Sequence, residues 1–144
     1  MILTVYHGTR RADEILAHGF QPSTGGEFGP GVYLTENVGT ARFYAEHVAG
    51  GTGTPTILEA TVELRNPFRV AKTDWIKMTT KRTPRTVLKA LASKGHDGIL
   101  GVGINGHDVQ VVAWYPDAIA GARVVERFTK GKWTARRGTR RTSR

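Results

Sequence analysis

The chain has 144 residues, 39% of them hydrophobic and 23% charged, with no cysteine and a formal net charge of +9. That length suits one ordinary domain with appendages, and the absence of cysteine excludes disulfides, thiolate metal sites and a Cys nucleophile. No run approaches the roughly 18 apolar residues of a spanning helix, and "MILTVYHGT" lacks the basic and apolar regions of an export signal, so the expected location is the cytoplasm.

"ILTVYH" is a β-branched and aromatic run that predicts a first strand, ended by Gly8. "RRADEILAHGF" spaces Ala12, Ile15 and Leu16 near the helical period, with Gly19 as the closing glycine. Residues 21–31, "QPSTGGEFGPG", hold four glycines and two prolines and predict a loop of special backbone geometry. "VYLTE" predicts a second strand, and "NVGTARFYAEHVA" a helix capped by Asn37 or Thr40. "TILEATVEL" alternates as a half-buried strand does. Residues 71–84 are weakly patterned. "TPRTVLKALASKGHDGIL" predicts a capped helix with Pro84 near its start, a glycine turn and a short strand, and "HDVQVVAWYP" predicts the last clear strand.

This order, β-rich with helices mostly near the front, favours an α+β fold. The charge is unevenly placed: residues 123–144 hold nine Lys or Arg against Glu126, while residues 1–122 hold 12 basic and 11 acidic groups. The expected division is a body over 1–126 and a basic, flexible tail over 127–144.

The chemistry-bearing candidates sit at strand ends and around the glycine loop. His7 ends the first strand beside Gly8, and a glycine there admits a ligand close to the backbone. Tyr33 and Tyr44 lie eleven residues apart on a strand and the helix after it. Aromatics of this kind usually fill cores, but a strand ring and a helix ring joined by a short turn can also sandwich a flat heterocycle. Glu36 and Glu46 flank this turn as solvated groups, and His96 and His107 sit beside glycines in turn-like segments. No His and acidic residues have metal-ligand spacing, so no metal is expected. "GTGTP" and "GVGING" lack the lysine of a phosphate loop.

In order along the chain, "YHGT", "GF", "GPGVYLTENVGTARFYA", "GHDGIL" and "VVAWYPDAI" resemble the landmarks of the ADP-ribosyltransferase superfamily, in the histidine-tyrosine-glutamate branch shared by diphtheria toxin and the poly-ADP-ribose polymerases. The likeness is to small bacterial and phage members, toxins among them. It covers residues 3–126 and implies a split β-sheet core with helices packed near the N-terminal half. It further implies NAD as co-substrate and transfer of ADP-ribose to a protein or nucleic-acid acceptor with release of nicotinamide; a monomer is expected. By position, His7 would hold the adenosine-side ribose with Thr9 assisting, the Gly8 backbone would bind the nicotinamide carboxamide, and Tyr33 and Tyr44 would stack on the nicotinamide. Residues 21–31 would cover the donor.

The chain departs from the pattern in the last strand, where Gln110 stands at the place of the glutamate. A glutamine can hold a ribose hydroxyl but carries no charge and cannot act as a general base. Three alternatives follow: a mono-transferase whose base comes from the substrate or another side chain, an NAD-binding domain without efficient chemistry, or an acid from elsewhere. Asp108 is the local substitute, since positions 108 and 110 share a strand face and a β-bulge near "NGHDV" would bring it in. The basic tail, with Phe128 and Trp133 interleaved, suits a nucleic-acid backbone with occasional stacking, or is a solvated terminus. An RNA 2′-phosphotransferase shares the fold and the early histidine, but its arginine set and further histidine are not found in the sequence. An antibiotic-modifying transferase would suit "YHGT" and "VYLT", without its middle region in residues 70–95.

Overall fold

The computed structural model describes residues 1–103 and 108–136. In chain order the elements are β1 (Ile2–Thr9), α1 (Ala12–His18), β2 (Val32–Thr35), α2 (Val38–His47), β3 (Thr56–Glu63), β4 (Phe68–Ala71), α3 (Lys72–Met78), α4 (Pro84–Ser93), β5 (Gly98–Val102), β6 (Val109–Ala113), β7 (Ile119–Thr129) and β8 (Lys132–Ala135). The eight strands form one mixed sheet in the order β4-β5-β6-β2-β1-β3-β7-β8, in which β4 and β5 run parallel and the other pairs antiparallel. The fold is therefore α+β, as expected, but its strands form one sheet where a split core was expected, and α3 and α4 lie beyond the N-terminal half.

Local chemistry sets the helix ends. The Asn37 side chain accepts from the N–H groups of Gly39 and Thr40 at 2.8 and 3.2 Å, capping α2. Thr83 caps α4 through the Thr86 N–H, with Pro84 at the first helical position. Gly19, at φ 86°, closes α1 by donating its N–H to Ile15.

Alternation along the strands sends side chains to two faces. Val111 and Ala113 join Val5, Leu58, Leu100, Phe20 and Ala12 on the face covered by α1. The opposite face holds two smaller cores: Phe28, Trp75, Val87, Leu91, Ile99 and Val112 over one half of the sheet, and Ala41, Ala45 and Ile57 under α2 over the other.

The C-terminal boundary differs from the expected one at 126. Strand β7 continues to Thr129, turns through Lys130 and Gly131, and pairs with β8. The Trp133 indole packs against the core under α2 and donates to Glu46, while its ring lies 5.4 Å from Phe128. Trp133 and Glu46, expected as a stacking platform and a solvated acid, are thus partners in a packed corner. Residues 137–144 of the expected tail, and His107, lie outside the described residues.

The joint between β1 and β2 is narrow. Eight register pairs tie β1 to β3, but only Tyr6↔Thr35 ties β1 to β2. Beyond that pair the ladder stops, and His7 Nδ1 meets the Tyr33 carbonyl at 2.8 Å. The histidine side chain stands where a continued ladder would have placed backbone.

Candidate functional site

A cavity of about 1040 Å³ opens along this joint. Its size is at the upper end of the roughly 300–1,000 Å³ usual for small-molecule and cofactor sites. Its wall brings together residues from four elements and a loop: His7, Gly8 and Thr9 of β1, Tyr33 and Thr35 of β2, Thr40 and Tyr44 of α2, Gln110 of β6, and the glycine loop through Gly25, Gly26 and Glu27. Of the seven residues expected at the NAD site, six line one space and Asp108 does not.

His7 is oriented rather than free. The Tyr33 carbonyl can only accept, so Nδ1 carries the proton and donates. Burial lowers the imidazole pKa below the usual 6.5, opposed by the bond to Tyr33. The ring is therefore neutral at pH 7, and its Nε2 lone pair is an acceptor suited to a hydroxyl. Phe20 packs edge-on to the ring at 5.2 Å and fixes its plane.

Gly8 has a reason besides ligand approach. A β-carbon there would lie 2.1 Å from the Ala41 carbonyl oxygen, so only glycine lets α2 settle onto β1. Close packing of α2 in turn brings Tyr44 to the cavity wall, where the side chain remains 45% exposed. Thr9 is buried, and its hydroxyl accepts from the Arg11 N–H at 2.9 Å, holding the turn out of β1. Arg10 points to the other end of α2, donating to the carbonyls of Ala45 and Glu46 at 3.0 and 2.9 Å, where the helix dipole favours a cation.

Tyr33 offers a ring to the cavity while its hydroxyl is fully engaged. That hydroxyl accepts from the Phe28 N–H at 2.7 Å and donates to the Gly29 carbonyl at 2.6 Å. Burial pushes its pKa up to about 12, with the Phe28 N–H acting the other way and Glu27 and Tyr44 adding to the rise. Tyr33 is thus a clamp on the glycine loop as well as a wall of the cavity. The loop is pinned a second time by Phe28, which is fully buried over Gly101, where a β-carbon would come within 2.4 Å of its ring.

Gln110 reaches the cavity from β6, opposite Thr35 and Gly101. Its amide nitrogen donates to a carboxylate oxygen of Glu27 at 3.2 Å, and its carbonyl oxygen is buried without a protein partner. An unpaired buried acceptor in a cavity wall is open to a donor from water or from a ligand. Asp108 is turned instead toward the start of α2, where it accepts from the Thr40 hydroxyl at 3.3 Å.

Glu27, which the sequence reading passed over, also lines the cavity and holds the Gln110 amide. Its only signal was an acid set among the glycines of "GGEFGPG", and the 83 residues separating it from Gln110 hide the pairing. Among the described residues no cluster of His, Cys, Asp or Glu could hold a metal, and no helix is long and apolar enough to cross a membrane. No protein-family model matches the chain, and no curated protein matches it either.

Proposed function

We propose that the protein is an NAD-dependent mono-ADP-ribosyltransferase, releasing nicotinamide and passing ADP-ribose to a protein or nucleic-acid acceptor. The observation that carries this reading is the shared cavity: His7, Gly8, Thr9, Tyr33, Tyr44 and Gln110, far apart in sequence, all line it. Their chemistry fits the donor. Tyr33 and Tyr44 supply aromatic walls for the nicotinamide, a neutral His7 presents Nε2 to a ribose hydroxyl, and the unpaired Gln110 carbonyl accepts from a second sugar hydroxyl. Arg11, also in the wall, provides positive charge for the diphosphate. NAD is an intracellular metabolite, so this reading assigns the protein to the cytoplasm of a bacterium or phage-infected cell.

Catalysis would follow from charge placement. Cleavage of the nicotinamide–ribose bond builds positive charge on the sugar, and donors and dipoles fixed in advance lower that barrier without reorganising. The chain's residues bind the ring, orient the ribose and exclude water; nothing at position 110 balances the developing charge.

A second reading, a module that binds NAD without turning it over, rests on that uncharged Gln110. Calorimetric titration with NAD, paired with nicotinamide release, separates the two. Binding with release supports the transferase, and binding without release the module. Tyr44→Ala removes one wall at an exposed position and should weaken NAD about tenfold or more, the usual worth of one stacked base. No heat of binding from the unaltered protein refutes both. Mass spectrometry after incubation with lysate, DNA or RNA then identifies the acceptor by its added ADP-ribose.

A further inference from the structure

We infer that Glu27, carried on the glycine loop, is the carboxylate of this active site, acting in the place where the last strand offers Gln110. The inference rests on the transferase reading and supplies the charge which that reading otherwise lacks.

Three observations converge. First, the Glu27 carboxylate lies 3.2 Å from the Gln110 amide nitrogen, so it occupies the same corner of the cavity as the side chain of position 110. Second, its backbone is held although it sits in a loop: Lys72 Nζ donates to the Glu27 carbonyl, and the neighbouring Phe28 is anchored by full burial and by the Tyr33 hydroxyl. With its backbone fixed and its carboxylate bonded to Gln110, the side chain can serve as preorganised charge. Third, the Gln–Glu pair is chemically matched. A carboxylate only accepts, so it takes the amide hydrogens and turns the Gln110 carbonyl inward, unpaired, to where a sugar hydroxyl would sit. A glutamate at 110 would instead put two like charges about 3 Å apart, which disfavours ionising both. Gln110 beside Glu27 avoids that repulsion.

The step is an ordinary substitution at the sugar. The bond from ribose C1 to the nicotinamide nitrogen breaks, and its electron pair stays on that nitrogen and neutralises the pyridinium ring. The acceptor's lone pair forms the new bond to C1. Glu27 stabilises the positive charge on the sugar, and its carboxylate receives the proton the acceptor gives up. No oxidant, reductant or metal enters.

The test compares the unaltered protein with Glu27→Gln, Gln110→Glu and the exchange Glu27→Gln/Gln110→Glu, measuring NAD affinity by calorimetry and nicotinamide release for each. Glu27 is exposed, so its replacement leaves the core intact. The expected result is Glu27→Gln binding NAD within about twofold of the unaltered protein while release falls about 10²-fold or more, the usual range for a lost catalytic proton acceptor. The exchange, which returns the single carboxylate to the strand, should recover at least about a tenth of the release, and Gln110→Glu alone should stay below the unaltered protein. Release that survives Glu27→Gln, loss of binding and release together, or an exchange that recovers nothing overturns the inference while the transferase reading stands. Release lost in Asp108→Asn but kept in Glu27→Gln gives the role to Asp108. No release from the unaltered protein overturns both.

Discussion

Replacing Tyr33 by phenylalanine tests the clamp on the glycine loop. The substitution keeps the ring, so the cavity wall and the packing beside Phe28 remain. It deletes one oxygen that accepts from the Phe28 N–H at 2.7 Å and donates to the Gly29 carbonyl at 2.6 Å. Phe28 is fully buried and Gly29 is also buried, so neither backbone group recovers a partner from water without moving. Each such orphaned group costs about 1–3 kcal/mol. The sum, reduced because the loop can relax, is about 2–3 kcal/mol. For a domain of this size each kcal/mol lowers Tm by about 3–4 °C, so a fall of about 6–12 °C is expected. Thermal unfolding by circular dichroism reads the total, and hydrogen exchange at Phe28 and Gly29 locates it. Unchanged exchange at those amides with Tm within about 2 °C of the unaltered protein would refute the clamp, because an oxygen bonded twice to buried backbone cannot be removed at no cost.

Gly8→Ala places a methyl group 2.1 Å from the Ala41 carbonyl; overpacking of this kind costs about 1–3 kcal/mol, or more where backbone must shift, and the urea midpoint should fall accordingly with NAD binding weakened as α2 moves away. Stability should also depend on pH through His7: its folded pKa lies below the unfolded 6.5, so the contribution is complete above about pH 6.5 and is lost as pH falls through the lower folded value, when the unfolded chain binds the extra proton. Urea titrations between pH 7.5 and 5 should show that decline, and a flatter profile for His7→Gln; an identical slope in the two chains would rule the histidine out as its source.

The parts of the fold that were legible in the sequence are those whose local chemistry decides them. The Asn37 cap, the Gly19 stop and the capped helix opening near Pro84 each became the predicted feature, and "TILEATVEL" became a strand that alternates only from Glu59 onward, both faces being buried at Ile57 and Leu58. The short β4 and α3 were not legible, since a four-residue strand defined by its parallel partner and a helix that buries only Trp75 leave no periodic trace. Strand β8 was hidden for a related reason: its charges read as tail, while the single indole that packs and donates to Glu46 holds it down. At the site, His7, Tyr33 and Tyr44 could be singled out because their spacing to glycines and to each other is local. The Gln110–Glu27 contact could not, because it joins a loop to a strand across most of the chain.

The hairpin of β7 and β8 also governs how the protein's charge can be dissected. Shortening the chain at residue 126 to strip away basic groups would remove the edge strand, leave β7 as a raw edge and deprive Glu46 of its indole donor, a combination that invites self-association. A shortened chain ending at Arg136 sheds Arg137, Arg140, Arg141 and Arg144 while keeping every described pairing of the sheet. Electrostatic attraction to a polyanion and integrity of the α2 wall are separable at that point in the chain and not ten residues earlier.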